Sequence, residues 1–322
     1  MKTLLCVAVP LLVIVAGQAQ AQQPTPKPFA WAYPTPDPPP TTAADAGPKS
    51  LPGSTKSYTQ AQIDDQFKPP DWYPQEHSPL PKVVESGIQA QACGSCHLMS
   101  GMGHPESATL AGLPVEYMIR QMEDFKNNLR KDPDGYTQSV RAGRMAVIAA
   151  GLPDEEMHKA VEWFATLKPT VWYKVVEAAT VPKTWVTGGR MRLPLPSGGT
   201  EPIGNRIVTL PQDPSRVELR DPHSGFIAYV PPGSLKKGKD LVEKGGAGKT
   251  IACETCHGEG LKGLGDVPRI AGIHPIYVFR QLYDIKAGAN TSSAAALMKK
   301  VVEKLSDDDM IAIAAYTASL NP

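Results

Sequence analysis

The sequence predicts a mainly α protein: two tandem helical domains joined by a long, irregular, partly β insert. Three observations carry that expectation. One succession of motifs is written twice along the chain. Each copy ends on a helix whose start is marked by acidic residues. Between the copies, Pro182–Gly233 loses helical periodicity and is rich in Pro and Gly. Internal repeats take precedence over local secondary-structure signals, because they define the folding units.

The first segment, 1–21, reads as a secretory signal peptide. Lys2 gives the positive start, Leu4 to Ala16 the apolar run, and Ala19-Gln20-Ala21 a small-x-small cleavage site. The expected product is exported to the periplasm, and Cys6 leaves with the signal. An uncleaved anchor is the alternative, although the apolar run is short for a bilayer span. Residues 22–82 follow as a Pro-rich tether. PTPKPFAWAYPTPDPPPTTAADAGPKS is expected to be disordered or polyproline II, with Trp72 and Tyr73 beginning the ordered part.

The repeat then sets the domains, at 83–169 and 234–322. Cys93 aligns with Cys253. At the same offset Ala111-Gly112 meets Ala271-Gly272, Tyr117 meets Tyr277, Gln121 meets Gln281, and Asp124 meets Asp284. The first copy then carries extra residues before the alignment resumes. Beyond them Met145 matches Met298, Leu152 matches Leu305, Asp154 matches Asp307 and Met157 matches Met310. Each copy is expected to run helix, cysteine-bearing turn, loop, middle helix, loop with Met, closing helix. Ser234–Gly245 opens the second copy as a short helix. Ser306-Asp307-Asp308-Asp309 caps its closing helix, where Met310, Ile313, Ala314 and Thr317 recur at helical spacing.

The insert, 170–233, holds short β-like runs at Arg206–Leu210 and Gly225–Val230. Phe226, Tyr229 and several Val and Ile make it less polar than a free linker. It is expected to wrap one or both domains. The whole chain of 322 residues suits about two ordinary domains, and its net charge of +1 gives no sign of a nucleic-acid-binding surface.

The chemistry lies in the turns. The mature chain has four cysteines, Cys93, Cys96, Cys253 and Cys256, arranged as two CxxC pairs each followed by His. Two disulfides are one reading for an exported protein. Zinc is another, but no further CxxC or HxxxH stands at suitable spacing. CxxCH is the attachment signature of c-type haem, and its occurrence twice favours two covalently bound haems. Cysteines three apart on a helical turn point to one side and can form thioethers with one macrocycle. His97 and His257 then offer imidazoles to the iron.

A transfer haem needs a second axial ligand, and Met is the expected one. Met298 is the only methionine between His257 and the closing helix. The first copy offers Met99, Met102, Met118, Met122 and Met145. Of these, Met145 alone aligns with a methionine, so His97/Met145 and His257/Met298 are the expected axial pairs. Met118 and Met122 align with Val278 and Leu282, which marks them as core. His104 and His158 align with Leu264 and Ile311 and are read as surface or loop histidines.

CGSCH with LAGLPVEYMIRQMEDF, CETCHGEG with RIAGIHPIYVFRQLYDI, and the Met-then-LSDDDM ending together resemble class I c-type cytochromes. The likeness is to the dihaem cytochrome c4 family and covers roughly 83–169 and 234–322. It implies two tandem class I cytochrome c helical domains and electron transfer rather than enzymatic turnover. It implies redox protein partners, such as a dehydrogenase, an oxidase or another cytochrome. Membrane association would come only through an uncleaved signal or a partner. Class I domains often place a Pro whose carbonyl holds the proximal His; Pro268 fits that place, and the first copy has Ala108 there. Two alternatives stand beside the carrier: a cytochrome subunit of an exported dehydrogenase, and a dihaem peroxidase with one open iron. Lys236, Lys237, Lys239, Lys244 and Lys249 form either a solvated face or a docking patch for an acidic partner.

Overall fold

The structure, a computed structural model, describes residues 29–39, 47–88, 90–133, 136 and 141–322. The expected signal peptide and Cys6 lie outside the described residues. So does much of the Pro-rich segment. No described helix is long and apolar enough to cross a membrane.

The chain is mainly helical. A short helix α1 (Gln60–Asp64) precedes the first repeat, which contains α2 (Lys82–Glu85), α3 (Gly94–His97), α4 (Val115–Lys126), α5 (Arg141–Gly151) and α6 (Asp154–Thr166). The insert contributes β1 (Tyr173–Glu177), β2 (Thr180–Pro182), β3 (Thr184–Val186), β4 (Arg192–Pro194), β5 (Thr200–Pro202), β6 (Val208–Pro211), α7 (Pro214–Glu218) and β7 (Phe226–Val230). The second repeat has α8 (Ser234–Lys244), α9 (Glu254–His257), α10 (Pro275–Lys286), α11 (Ser293–Val302) and α12 (Asp307–Ser319).

The middle and closing helices form where the repeat places them. Ser306 caps α12 reciprocally: its hydroxyl accepts from Asp309 N, and the Asp309 carboxylate accepts from Ser306 N. This helix is buried on nearly every side, because α8, α10 and β1 all pack on it. The approach to α8 is close. A Cβ built on Gly238 would lie 2.0 Å from the Ala312 carbonyl oxygen, so only glycine fits there.

Three local expectations change. Met145 and Met298 lie on helices α5 and α11, not on loops. The reason is local: SAAALMKKVV is composed largely of good helix formers, and Ser292 caps it by accepting from Ala295 N. The helix before the first cysteine turn is one turn long, followed by Gly87 at φ 65°. The tether packs where it is described. Phe29, Trp31 and Tyr33 enter the core around Phe279 and Tyr283. Leu51 and Ile63 form a smaller core with Trp72 and Tyr73. Proline content suggested an extended solvated chain, but the aromatic area of FAWAY is too large to leave in water when a groove accepts it.

The insert is a folded element. β7 pairs in parallel with β1 and antiparallel with β6, while β2–β5 and β3–β4 form antiparallel ribbons. Trp172, Tyr173, Leu193, Val217 and Phe226 pack on Leu98, Met102 and Ala111 of the first repeat. Asp37 bonds both backbone groups of Val186 through its own N–H and its carboxylate, so the N-terminal segment braces the β3–β4 ribbon.

The two repeats meet at positions that the repeat equates. Arg130 is buried between them and donates to Gln121 at 2.7 Å, Gln281 at 2.7 Å and the Tyr277 hydroxyl at 2.8 Å. Tyr117 lies against its counterpart Tyr277. Arg280 donates to the Pro105 and Ala32 carbonyls, both at 2.9 Å, and Arg269 to the Ala111 carbonyl at 3.2 Å. Equivalent faces of the repeats are therefore turned toward each other.

Candidate haem sites

Each CxxCH forms one helical turn, α3 or α9, beginning at its first cysteine. The backbone then reverses through a residue at positive φ, Leu98 at 60° or Gly258 at 75°. That reversal brings the following loop under the imidazole. His97 Nδ1 donates to the Ala108 carbonyl at 2.8 Å, and His257 Nδ1 donates to the Pro268 carbonyl at 2.8 Å. The two geometries match although one residue is Pro and the other Ala. The bond uses a backbone oxygen, so the loop path matters and the side chain does not. Each ring thus has its tautomer fixed, with the lone pair on Nε2, the nitrogen that could ligate a metal. Burial pushes both imidazoles below their ordinary range, and the carbonyl bond opposes this only in part. The neutral form is the one that binds a metal.

None of the four cysteines is disulfide-bonded. Burial pushes the Cys93 thiol up to about 12 and that of Cys253 to about 11. Among the described residues no group of three or more His, Cys, Asp or Glu side chains gathers as a metal site, which a tetrahedral zinc would require.

In the first repeat, Cys93, Cys96, His97 and Met145 lie on the walls of one cavity of about 790 Å³. Its volume suits a cofactor-sized group, for which pockets are roughly 300–1,000 Å³. Leu113, Met118, Val161 and Phe164 supply apolar walls. Met99 and Met102 do not reach it. Met99 packs in the core beside Gly94, and Met102 is fully buried against the insert. His104 does line the cavity, but its ring nitrogens engage Glu106 N and the Ser107 hydroxyl. His158 is exposed. In the second repeat, Cys253 and Met298 both pack on the core that holds Leu261, Ile273 and Met310.

Sequence reasoning missed part of the first cavity. Trp185, Arg190, Met191 and Arg220 of the insert line it, as does Met157 of α6. Met157 has a repeat counterpart in Met310, both in apolar cores. The insert residues have none, so no pattern in the chain points to them. Four of the five clustered lysines face carboxylates of their own domain. Lys237 and Lys249 pair with the buried Asp309 at 2.9 and 3.0 Å, and Lys239 and Lys244 face Glu243 and Asp240 at 4.0 Å.

Comparison with known proteins agrees with this chemistry. The cytochrome c family profile matches residues 235–321, which implies covalent haem c. A cytochrome c4 of Stutzerimonas stutzeri is 37% identical over 235 residues, covering 71% of this chain and 84% of the relative. A thiosulfate dehydrogenase electron acceptor of Stutzerimonas stutzeri (strain A1501) is 37% identical over 234 residues, covering 72% and 80%. Among solved structures, an Acidithiobacillus ferrooxidans cytochrome c4 aligns with TM-score 0.46 and 21% identity, over 71% of this chain and 98% of its own.

Proposed function

We propose a function from one premise: the chain belongs to the dihaem cytochrome c4 family. It is an exported, periplasmic carrier that holds two haem c groups and passes single electrons between redox proteins. The observation that carries this reading is the duplicated His geometry, with the same 2.8 Å carbonyl bond behind His97 and His257. When bound, haem c takes up and returns one electron at its iron.

The chain's own residues do the rest. Cys93 and Cys96, and Cys253 and Cys256, would anchor the two macrocycles as thioethers, which do not cycle to disulfides. The Ala108 and Pro268 carbonyls hold each imidazole on its axis. Met145 and Met298 would supply the second ligands, and thioether ligation would set a higher potential than a second imidazole. Leu113, Met118, Val161 and Phe164 give part of the first cavity an apolar wall.

The test is absorption and redox titration of the purified chain, with Met145→His and Met298→His. Two haems per chain are expected, and each substitution should remove one methionine band and lower one potential. One haem per chain, or unchanged spectra in both variants, would overturn the reading. A five-coordinate resting haem with peroxide turnover would favour the peroxidase instead. Haem-stained protein in the periplasmic fraction tests the location. A second reading, the cytochrome partner of an exported dehydrogenase, is favoured by the relative named as an electron acceptor for thiosulfate dehydrogenase. Co-purification with such an enzyme would distinguish it from a free shuttle.

A further inference from the structure

The two CxxCH turns are built alike but stand in different surroundings. In the first, the residues between the cysteines, Gly94 and Ser95, are buried. Their counterparts Glu254 and Thr255 are exposed. Gly94 lies under Met99 and Val84 of the first repeat, and the insert supplies the rest of the cover. Arg220, beyond α7, donates to the Ser95 carbonyl within the motif itself. Trp172 donates through Nε1 to the Gly103 carbonyl at 3.2 Å, on the loop that follows His97. The β3–β4 ribbon sends Trp185 and Met191 to the cavity wall that Cys96 and His97 also line.

This cover is braced from outside. Asp37 fixes Val186 of β3 through bonds of 2.9 and 2.8 Å, and Trp72 donates to the Leu219 carbonyl, next to Arg220, at 2.8 Å. A surface held by such bonds and by packed aromatic rings is a fixed wall.

Thioether bonds place one edge of the macrocycle against the CxxCH turn. A wall over that turn therefore stands between this edge and any outside donor, and outer-sphere transfer needs close approach. We infer that the insert is a built-in cover of the first haem's thioether edge. Outside redox partners exchange electrons at the second turn, around Glu254–Cys256, and the first haem fills and empties through the second. This rests on the proposed dihaem function.

The probe is hexaammineruthenium(II), an outer-sphere reductant; each ruthenium(II) gives one electron to one ferric haem and becomes ruthenium(III). Reduction is followed by stopped-flow absorption on the chain loaded with both haems. Met298→His is used to lower the potential of the second haem and so switch off its relay. In that background the first haem should be reduced at least tenfold more slowly than the second haem of the parent chain. Adding Arg220→Ala, or separately Trp185→Ser, should restore at least tenfold of the rate, in proportion to reductant concentration. Both changes should also lower the first haem's potential, since they admit water to its edge. First-haem reduction that is fast with the relay off, or that is unmoved by both cover variants, overturns the inference. A chain loaded with only one haem would count against the dihaem function, and haem content is measured first to keep the two apart.

Discussion

Gln121 and Gln281, equivalent positions of the two repeats, both accept a hydrogen bond from the guanidinium of Arg130, each at 2.7 Å. Arg130 occupies the place that Asn290 takes in the second copy, each donating its backbone N–H to the preceding Asp carbonyl, and it is a cation that the paired faces share. Replacing it removes the shared donor of two half-buried amide oxygens and of the Tyr277 hydroxyl. Arg130→Ala should cost about 1–3 kcal/mol, as expected for leaving neutral hydrogen-bond acceptors unpaired. It should also split the denaturant unfolding curve into two transitions as the repeats uncouple. A single transition at the parent midpoint would show that the coupling lies elsewhere.

The Tyr33 hydroxyl donates to Asp284, which holds the N-terminal aromatic segment on the second repeat. Burial pushes the Asp284 carboxyl up to about 7, while Tyr33, Arg280 and Arg130 pull it down in part. Between about pH 4 and pH 7 the folded chain thus holds a proton that the unfolded chain has released. The stability this group contributes is full below about pH 4 and is lost as pH rises through 7. Asp284→Asn should flatten that part of the stability–pH curve. Thermal unfolding from pH 4 to 8 reads it, and an unchanged slope would rule the group out.

Asp309 has the opposite sign. Burial alone would raise its carboxyl, but bonds from Lys237, Ser306 and Lys249 outweigh burial and hold it well below the usual carboxylate range. Its contribution is present above about pH 4 and is lost as pH falls further. Asp309→Asn keeps part of the cap but loses both ion pairs. It should cost about 1–3 kcal/mol at pH 7, and that cost should shrink progressively as pH falls below about 4. Since both lysines are partly exposed, the loss at pH 7 should shrink in high salt.

Gly238 permits the close contact of α8 with α12. Gly238→Ala would normally help a helix by up to about 1 kcal/mol. Here the added methyl meets the Ala312 carbonyl, so a net loss of about 1–3 kcal/mol is expected. Chemical denaturation checks the sign; stabilisation would show that the helices can part without cost.

The closing helices and the duplicated turns were legible because they depend on near neighbours in the chain. The serine cap of α12 and its acidic first turn act within a few residues. Met145 was readable as the partner of Met298 because a repeat compares positions without needing their surroundings. The helical state of both methionines is not legible in the same way, since a run of small residues such as SSAAALM fits a loop as well as a helix. Ala108 shows another limit. As a residue type it carried no signal, yet its carbonyl does the same work as that of Pro268.

By itself the sequence determined the paired CxxCH chemistry, the two mainly helical repeats and the partly stranded insert, because motif spacing, capping and periodicity are local properties. Only the tertiary structure decided where the insert and the Phe29–Tyr33 segment lie. Their aromatic and apolar side chains could bury against many surfaces, and the choice among them is made by shape and by long-range bonds such as Asp37 to Val186 and Arg220 to Ser95. Packing of that kind joins residues far apart in the chain, and it leaves no period or spacing to be read in advance.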